Sequence, residues 1–152
     1  MSLRGSIKRW KVPLISVGLT GASAFGIGAI LKHSAERSRL ELGRKLVLGV
    51  EPLKGRMVGH DLDLPTATVR CQNCHKIGQE PGKSFAPRLS QASLTGLVKR
   101  RGGPPSRYDV ATFCGVLADG VDPAHVMIPQ TMPRYNLTEQ ECAALWTYVT
   151  AN

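Results

Sequence analysis

Cys71-Gln72-Asn73-Cys74-His75 decides the reading of this chain. Two thiols separated by two residues, with an imidazole immediately after, form the pattern through which c-type haem is attached to a polypeptide. The spacing lets both sulfurs reach the vinyl groups of one porphyrin and brings His75 under the iron as a proximal ligand. Other chemistries use the same residue types. A zinc half-site needs a second closely spaced pair, whereas the remaining cysteines, Cys114 and Cys142, lie apart in stretches of helical pattern. A thioredoxin-like dithiol wants a strand before the motif and a helix after it. Here Pro65-Thr66-Ala67-Thr68-Val69 precedes it and a loop containing Gly and Pro follows. Chance occurrence of the pentapeptide is the third alternative.

Downstream of the motif, residues 76–105 read as loop around a short helix near Leu94 to Arg100, and Gly102-Gly103-Pro104-Pro105 marks a break. A helix is expected from about Ser106 to Leu117, then loop from Gly120 to Pro133. The last helix starts at Thr138, an N-cap with Glu141 completing a capping box, and runs to about Val149. Upstream, Ser34 to Gly49 is amphipathic. Leu40, Gly43, Leu46 and Val47 fall at helical offsets, while Arg37, Arg39, Glu41, Arg44 and Lys45 take the solvated side. Gly49 and Pro52 stop this helix. Residues 50–70 carry Gly55, Gly59 and Pro65 and read as loop or a small hairpin.

Further upstream, Val12 to Leu31 is free of charge and is bounded by a basic tail ending near Trp10 and by Lys32. At a helical rise of about 1.5 Å per residue, such a run matches a hydrocarbon core of about 30 Å. Gly18, Ala22 and Gly26 form a ridge of small residues that permits close helix approach in a bilayer. A cleaved signal peptide is the alternative, with Ala22-Ser23-Ala24 as its cleavage site. The apolar run continues past that point to Leu31, which favours an uncleaved anchor.

The 152 residues suit one domain with an appended segment, and they exclude two large domains or a dinucleotide fold with a separate substrate domain. At 42% hydrophobic and 20% charged, with 16 Gly and 10 Pro, the chain is globular but rich in loops, and its core is poor in aromatics at 5%. The formal charge of +9 is partly local, because Arg4, Lys8, Arg9 and Lys11 belong to the tail. No basic stripe interleaved with aromatics is present, so nucleic acid is not an expected partner.

With these motifs in view, residues 36–150 resemble a class I, monohaem cytochrome c of the membrane-anchored bacterial type. Phe85-Ala86-Pro87-Arg88-Leu89 is similar to the family's Pro-x-Leu segment after the haem-binding histidine. The resemblance implies that the Pro87 carbonyl accepts a hydrogen bond from the His75 ring, which fixes the tautomer of a ligand, and that Leu89 packs on the haem face. Met132-Pro133-Arg134-Tyr135-Asn136-Leu137 looks like the family's methionine loop running into the last helix, which makes Met132 the distal ligand. Met127, which lacks the following proline, His125, His60 and a vacant sixth position are the competing arrangements. A thioether ligand favours Fe(II) and raises the reduction potential relative to two histidines. The terminal helix resembles the family's in packing aromatics against a glycine of the first helix, here Trp146 against Gly43. The chain departs from the family in the long stretch between Gly49 and Cys71, an insertion at about residues 50–68.

The resemblance implies a mainly α fold, three to five helices around one covalent haem c and its iron, preceded by a single transmembrane helix. The division falls at residues 1–33 and 34–152. The implied function is single-electron transfer with no bond-making chemistry, so not an enzyme. The carrier works between membrane or periplasmic redox partners, alone or in a respiratory or dehydrogenase complex. A haem-based ligand sensor or small peroxidase with a labile sixth ligand is the alternative. Haem attachment on the oxidising side of the membrane orients the anchor in the inner membrane with the domain facing the periplasm. There Cys114 and Cys142 tend to pair, buried thiols being the other possibility. Lys76, Lys83, Arg88, Lys99, Arg100, Arg101 and Arg134 are expected to ring the haem edge as a docking surface for an acidic partner, or to be ordinary solvated charge.

Overall fold

The computed structural model describes residues 23–80 and 82–152, with the side chains of residues 23–27 and 29 outside the description. Its elements are α1 (Ser23–Leu48), β1 (Gly55–Arg56), α2 (Thr66–Val69), a 3-10 turn (Cys71–Asn73), α3 (Gln91–Thr95), β2 (Val98–Lys99), β3 (Pro105–Ser106), α4 (Val110–Asp119), β4 (Arg134–Tyr135) and α5 (Glu139–Thr150). The fold is mainly helical, as expected. Most of the anticipated membrane segment, residues 12–22, lies outside the described residues. Among the described residues no helix is long and apolar enough to cross a membrane.

The amphipathic stretch begins earlier than its pattern suggests, and α1 runs unbroken through residue 33. Described side chains from Gly28 to Glu41 are exposed, and burial starts at Leu42. Leu46 and Val47 are almost completely buried, and each contributes about 1.5–3 kcal/mol through removal from water. Leu40, expected on the same face, is instead 37% exposed, because α1 acquires packing partners only beyond it.

The buried end of α1 packs on α5. Gly43 makes this possible: a Cβ built there would lie 2.1 Å from the Ala144 carbonyl oxygen and 2.7 Å from Tyr148 Cβ. The crossing is therefore Gly43 on Ala144 and Tyr148, and not on Trp146. The indole faces α4, with its ring centroid 5.4 Å from that of Phe113.

The structure moves three boundaries. The short helix ends at Thr95, and the backbone then extends as β2, which pairs antiparallel with β3 around the Gly102-Gly103 turn. Helix α4 starts at Val110 rather than near Ser106, because the Asp109 carboxylate caps the Thr112 amide while Pro105–Ser106 is held in the ladder. Gly120, with φ +75°, terminates it in the left-handed conformation. The inserted stretch forms no local hairpin. Its strand β1 pairs with β4, Gly55 opposite Tyr135 and Arg56 opposite Arg134. The expected box at the start of α5 is present, Thr138 capping the Glu141 amide and the Glu141 carboxylate accepting from Thr138.

Cys114 and Cys142 form a disulfide, with Cα atoms 5.9 Å apart. It ties α4 to α5 and closes the loop that carries Met127 and Met132.

Candidate functional site

Helix α2 leads directly into the Cys71–Asn73 turn, so a helix and not a strand precedes the two thiols. Asn73 Nδ2 reaches back to the carbonyls of Ala67 (2.8 Å) and Thr68 (3.0 Å) at the end of α2. The His75 amide donates to the Cys71 carbonyl at 2.9 Å and closes the turn. This local winding brings Cys71, Cys74 and His75 together. Cys71 and Cys74 are both unpaired and half-buried, unlike Cys114 and Cys142. Burial pushes the Cys71 thiol up to about 11.

The segment after the motif folds back over it. Ser84 Oγ donates to the Cys74 carbonyl at 2.8 Å, and the Ala86 amide donates to the same oxygen at 3.0 Å. The amide of Leu89 bonds the Lys76 carbonyl, and the amide of Gly78 bonds that of Leu89. Leu89 is thereby held half-buried against the core. This return path carries the Pro87 carbonyl to 2.5 Å from His75 Nδ1. A carbonyl can only accept, so Nδ1 carries the hydrogen and Nε2 keeps the ring's lone pair. Burial holds the imidazole below its ordinary pKa, partly countered by this bond, so the ring is neutral at pH 7. A neutral histidine oriented through Nδ1 is the form that binds a metal through Nε2.

On the opposite side of the sequence, Met132 is half-buried against the core, and its amide donates to the Pro129 carbonyl. Met127 is 59% exposed and bridges Val121 on the surface. His125 and His60 are exposed as well. The Met132 and Cys71 segments are joined by Tyr135, whose hydroxyl donates to the Val69 carbonyl at 2.7 Å. Burial raises the Tyr135 phenol above its usual range, and the neighbouring thiols of Cys71 and Cys74 add to the rise.

The donors present fit an iron porphyrin. Two unpaired thiols on one turn can form thioethers, one neutral imidazole presents Nε2, and one thioether stands in the half-buried loop. Among the described residues no cluster of three or more His, Cys, Asp or Glu suits a bare metal ion.

The basic residues are distributed differently from the expected ring. Arg88 donates to the carbonyls of Gly78 and Glu80 and braces the return loop. Arg100 bonds the carbonyls of Ser93 and Ser106 and lies 5.0 Å over the Tyr108 ring. Arg101 pairs with buried Asp122 at 2.6 Å, and Arg134 is buried. These four are taken up by contacts within the chain, Arg101 while itself exposed. Lys83 and Lys99 remain exposed, and Lys76 is half-buried.

Sequence reading missed Ser84, Tyr135 and the Arg101–Asp122 pair. The Asp122-Pro123 dipeptide carried a usable cue, since an Asp before Pro commonly caps a turn with its own side chain. Here Asp122 Oδ1 accepts from the amides of Ala124 and Val126, each at 2.9 Å. Nothing local marks Ser84 or Tyr135.

Residues 66–151 match a family model described as Cytochrome c. No curated protein and no solved structure matches the chain.

Proposed function

Because the chain belongs to the cytochrome c family, an electron-transfer family whose haem c is bound covalently, we propose that it is a membrane-tethered monohaem carrier in which His75 and Met132 would hold the iron. Cys71 and Cys74 fit the attachment motif of that family. When bound, the haem supplies an iron that gains and loses one electron. The chain's own residues do the remaining work and make no bonds in a substrate. The two thiols fix the porphyrin, Pro87 orients His75, and Leu89 and the core exclude water.

The observation that carries this reading is the 2.5 Å contact of His75 Nδ1 with the Pro87 carbonyl. It commits one ring nitrogen and leaves the other for iron. Met132 is the distal ligand by its half-buried place in the loop, with Met127 on the surface as the contrast. Ligation by a soft, neutral thioether favours the reduced state.

The tether is the uncharged run Val12 to Leu31, facing its domain to the periplasm in the inner membrane. The exposed, unbroken length of α1 supports this placement, since it carries the chain out of that run and into the core without a flexible break. Tethering raises the effective concentration at membrane redox complexes. Lys83 and Lys99 suit an acidic docking surface on such a partner.

Substitution of Met132 by Ala tests the reading on the haem-loaded protein. Covalent haem should remain, the weak near-infrared sulfur-to-iron band should vanish, and the midpoint potential should fall strongly. An unchanged band and potential would move the ligand elsewhere. Rapid carbon monoxide binding by the reduced wild-type protein would favour the ligand-sensing alternative.

A further inference from the structure

Arg134 is buried to 9% exposure in β4. Its Nη1 donates to the carbonyl of Met132 at 2.7 Å, two residues back along the chain. Its Nη2 is buried and has no hydrogen-bond partner among the described residues. The ion pairs among those residues join Arg44 with Glu41 and Arg101 with Asp122, so no carboxylate pairs with Arg134. The guanidinium packs against Gly120, where a Cβ would come within 2.2 Å of Cζ and Nη2. Gly120 caps the C-terminus of α4, whose carbonyl end favours a cation.

Desolvating a cation with one full hydrogen bond costs free energy. The helix terminus offsets part of it, and no acidic side chain among the described residues neutralises the charge that lies beside the backbone of Met132. Removing an electron from a nearby centre adds another positive charge, and in a low-dielectric surrounding the two repel strongly. The reduced form is then favoured. The same side chain bonds the Met132 carbonyl while its guanidinium packs on Gly120 at the end of α4, which the disulfide at Cys114 anchors to α5.

We propose that Arg134 is a positioning residue for the distal ligand that also sets the redox balance: it straps Met132 to α4 and its buried charge raises the reduction potential. This rests on Met132 being the iron ligand.

The test compares Arg134→Met and Arg134→Lys in the full-length, haem-loaded chain by redox titration and near-infrared absorption. Arg134→Met should lower the reduction equilibrium constant at least tenfold, about 59 mV for one electron, while Arg134→Lys stays within about threefold of wild type. An unchanged potential in Arg134→Met overturns the proposal, and so do equal drops in both variants. If Arg134→Met also loses the sulfur-to-iron band, Arg134→Lys decides. Band and potential kept by lysine support the role, and both lost refute it. Failure of the underlying reading looks different, because Met132→Ala would then leave band and potential untouched.

Discussion

The Tyr135 hydroxyl and the Val69 carbonyl meet at 2.7 Å in the interior, 66 positions apart in the chain. Val69 stands just before the two thiols and Tyr135 just after Met132 and Arg134, so one hydrogen bond couples the two segments that would hold the iron. Tyr135→Phe leaves a buried carbonyl without its donor, at a cost of about 1–3 kcal/mol. Urea titration of the holoprotein should show this as a lower midpoint with the slope unchanged. A wild-type midpoint would mean that water replaces the phenol.

Gly43 and Ala144 define the crossing of α1 and α5. The atom nearest to an added Cβ is a backbone oxygen at 2.1 Å, so no side-chain rotation relieves the overlap. Gly43→Ala should therefore push the helices apart and destabilise by about 3 kcal/mol, at the upper end of overpacking costs. The helix propensity of alanine offsets about 1 kcal/mol of that strain. Gly28 is the control: a Cβ added there would meet no atom within 4 Å, so alanine should be neutral or stabilising.

The Cys114–Cys142 bond closes 28 positions. Chain-entropy arithmetic gives such a closure about 3–4 kcal/mol. Replacement of both cysteines by serine should lower stability by roughly that amount and lower the temperature at which the sulfur-to-iron band disappears. Retention of the band to the wild-type temperature would show that the loop is held without the bond.

Asp122 and Arg101 give the fold an acid limit. Burial raises the Asp122 carboxyl, but the Val126 amide, the Arg101 guanidinium and the Ala124 amide outweigh it, and the pKa lies below its ordinary 3.8. Because the folded value is the lower one, this stabilisation is complete above pH 4 or so and fades as pH falls through the folded value. Asp122→Asn should cost about 1–3 kcal/mol at neutral pH, as the Val126 and Ala124 amides lose a charged acceptor, and should flatten the decline below pH 4 or so. An unchanged acid limb in the variant would assign the acid sensitivity to other carboxylates.

Local chemistry carries far when it is written in adjacent residues. The Cys71–His75 turn, the Thr138–Glu141 cap and the apolar pair Leu46 and Val47 need only neighbours along the chain, and each was legible there. Arg100 and Arg101 read as surface charge because a basic residue with no local partner looks solvated, whereas their partners Ser93, Ser106 and Asp122 arrive by folding. Leu40 read as core because the helical repeat says which side is apolar but not where the covering helix ends.

From sequence alone came the helical class and the thiol–imidazole motif, because spacing on a helix or turn fixes geometry over a few residues, whereas the methionine loop came from the family resemblance. Tertiary structure alone decided that the inserted stretch pairs β1 with β4, that Gly43 faces Ala144, and that Arg134 lies buried beside Met132. Those depend on which surfaces meet after the chain closes, and contacts between distant residues leave no periodicity along the chain to read.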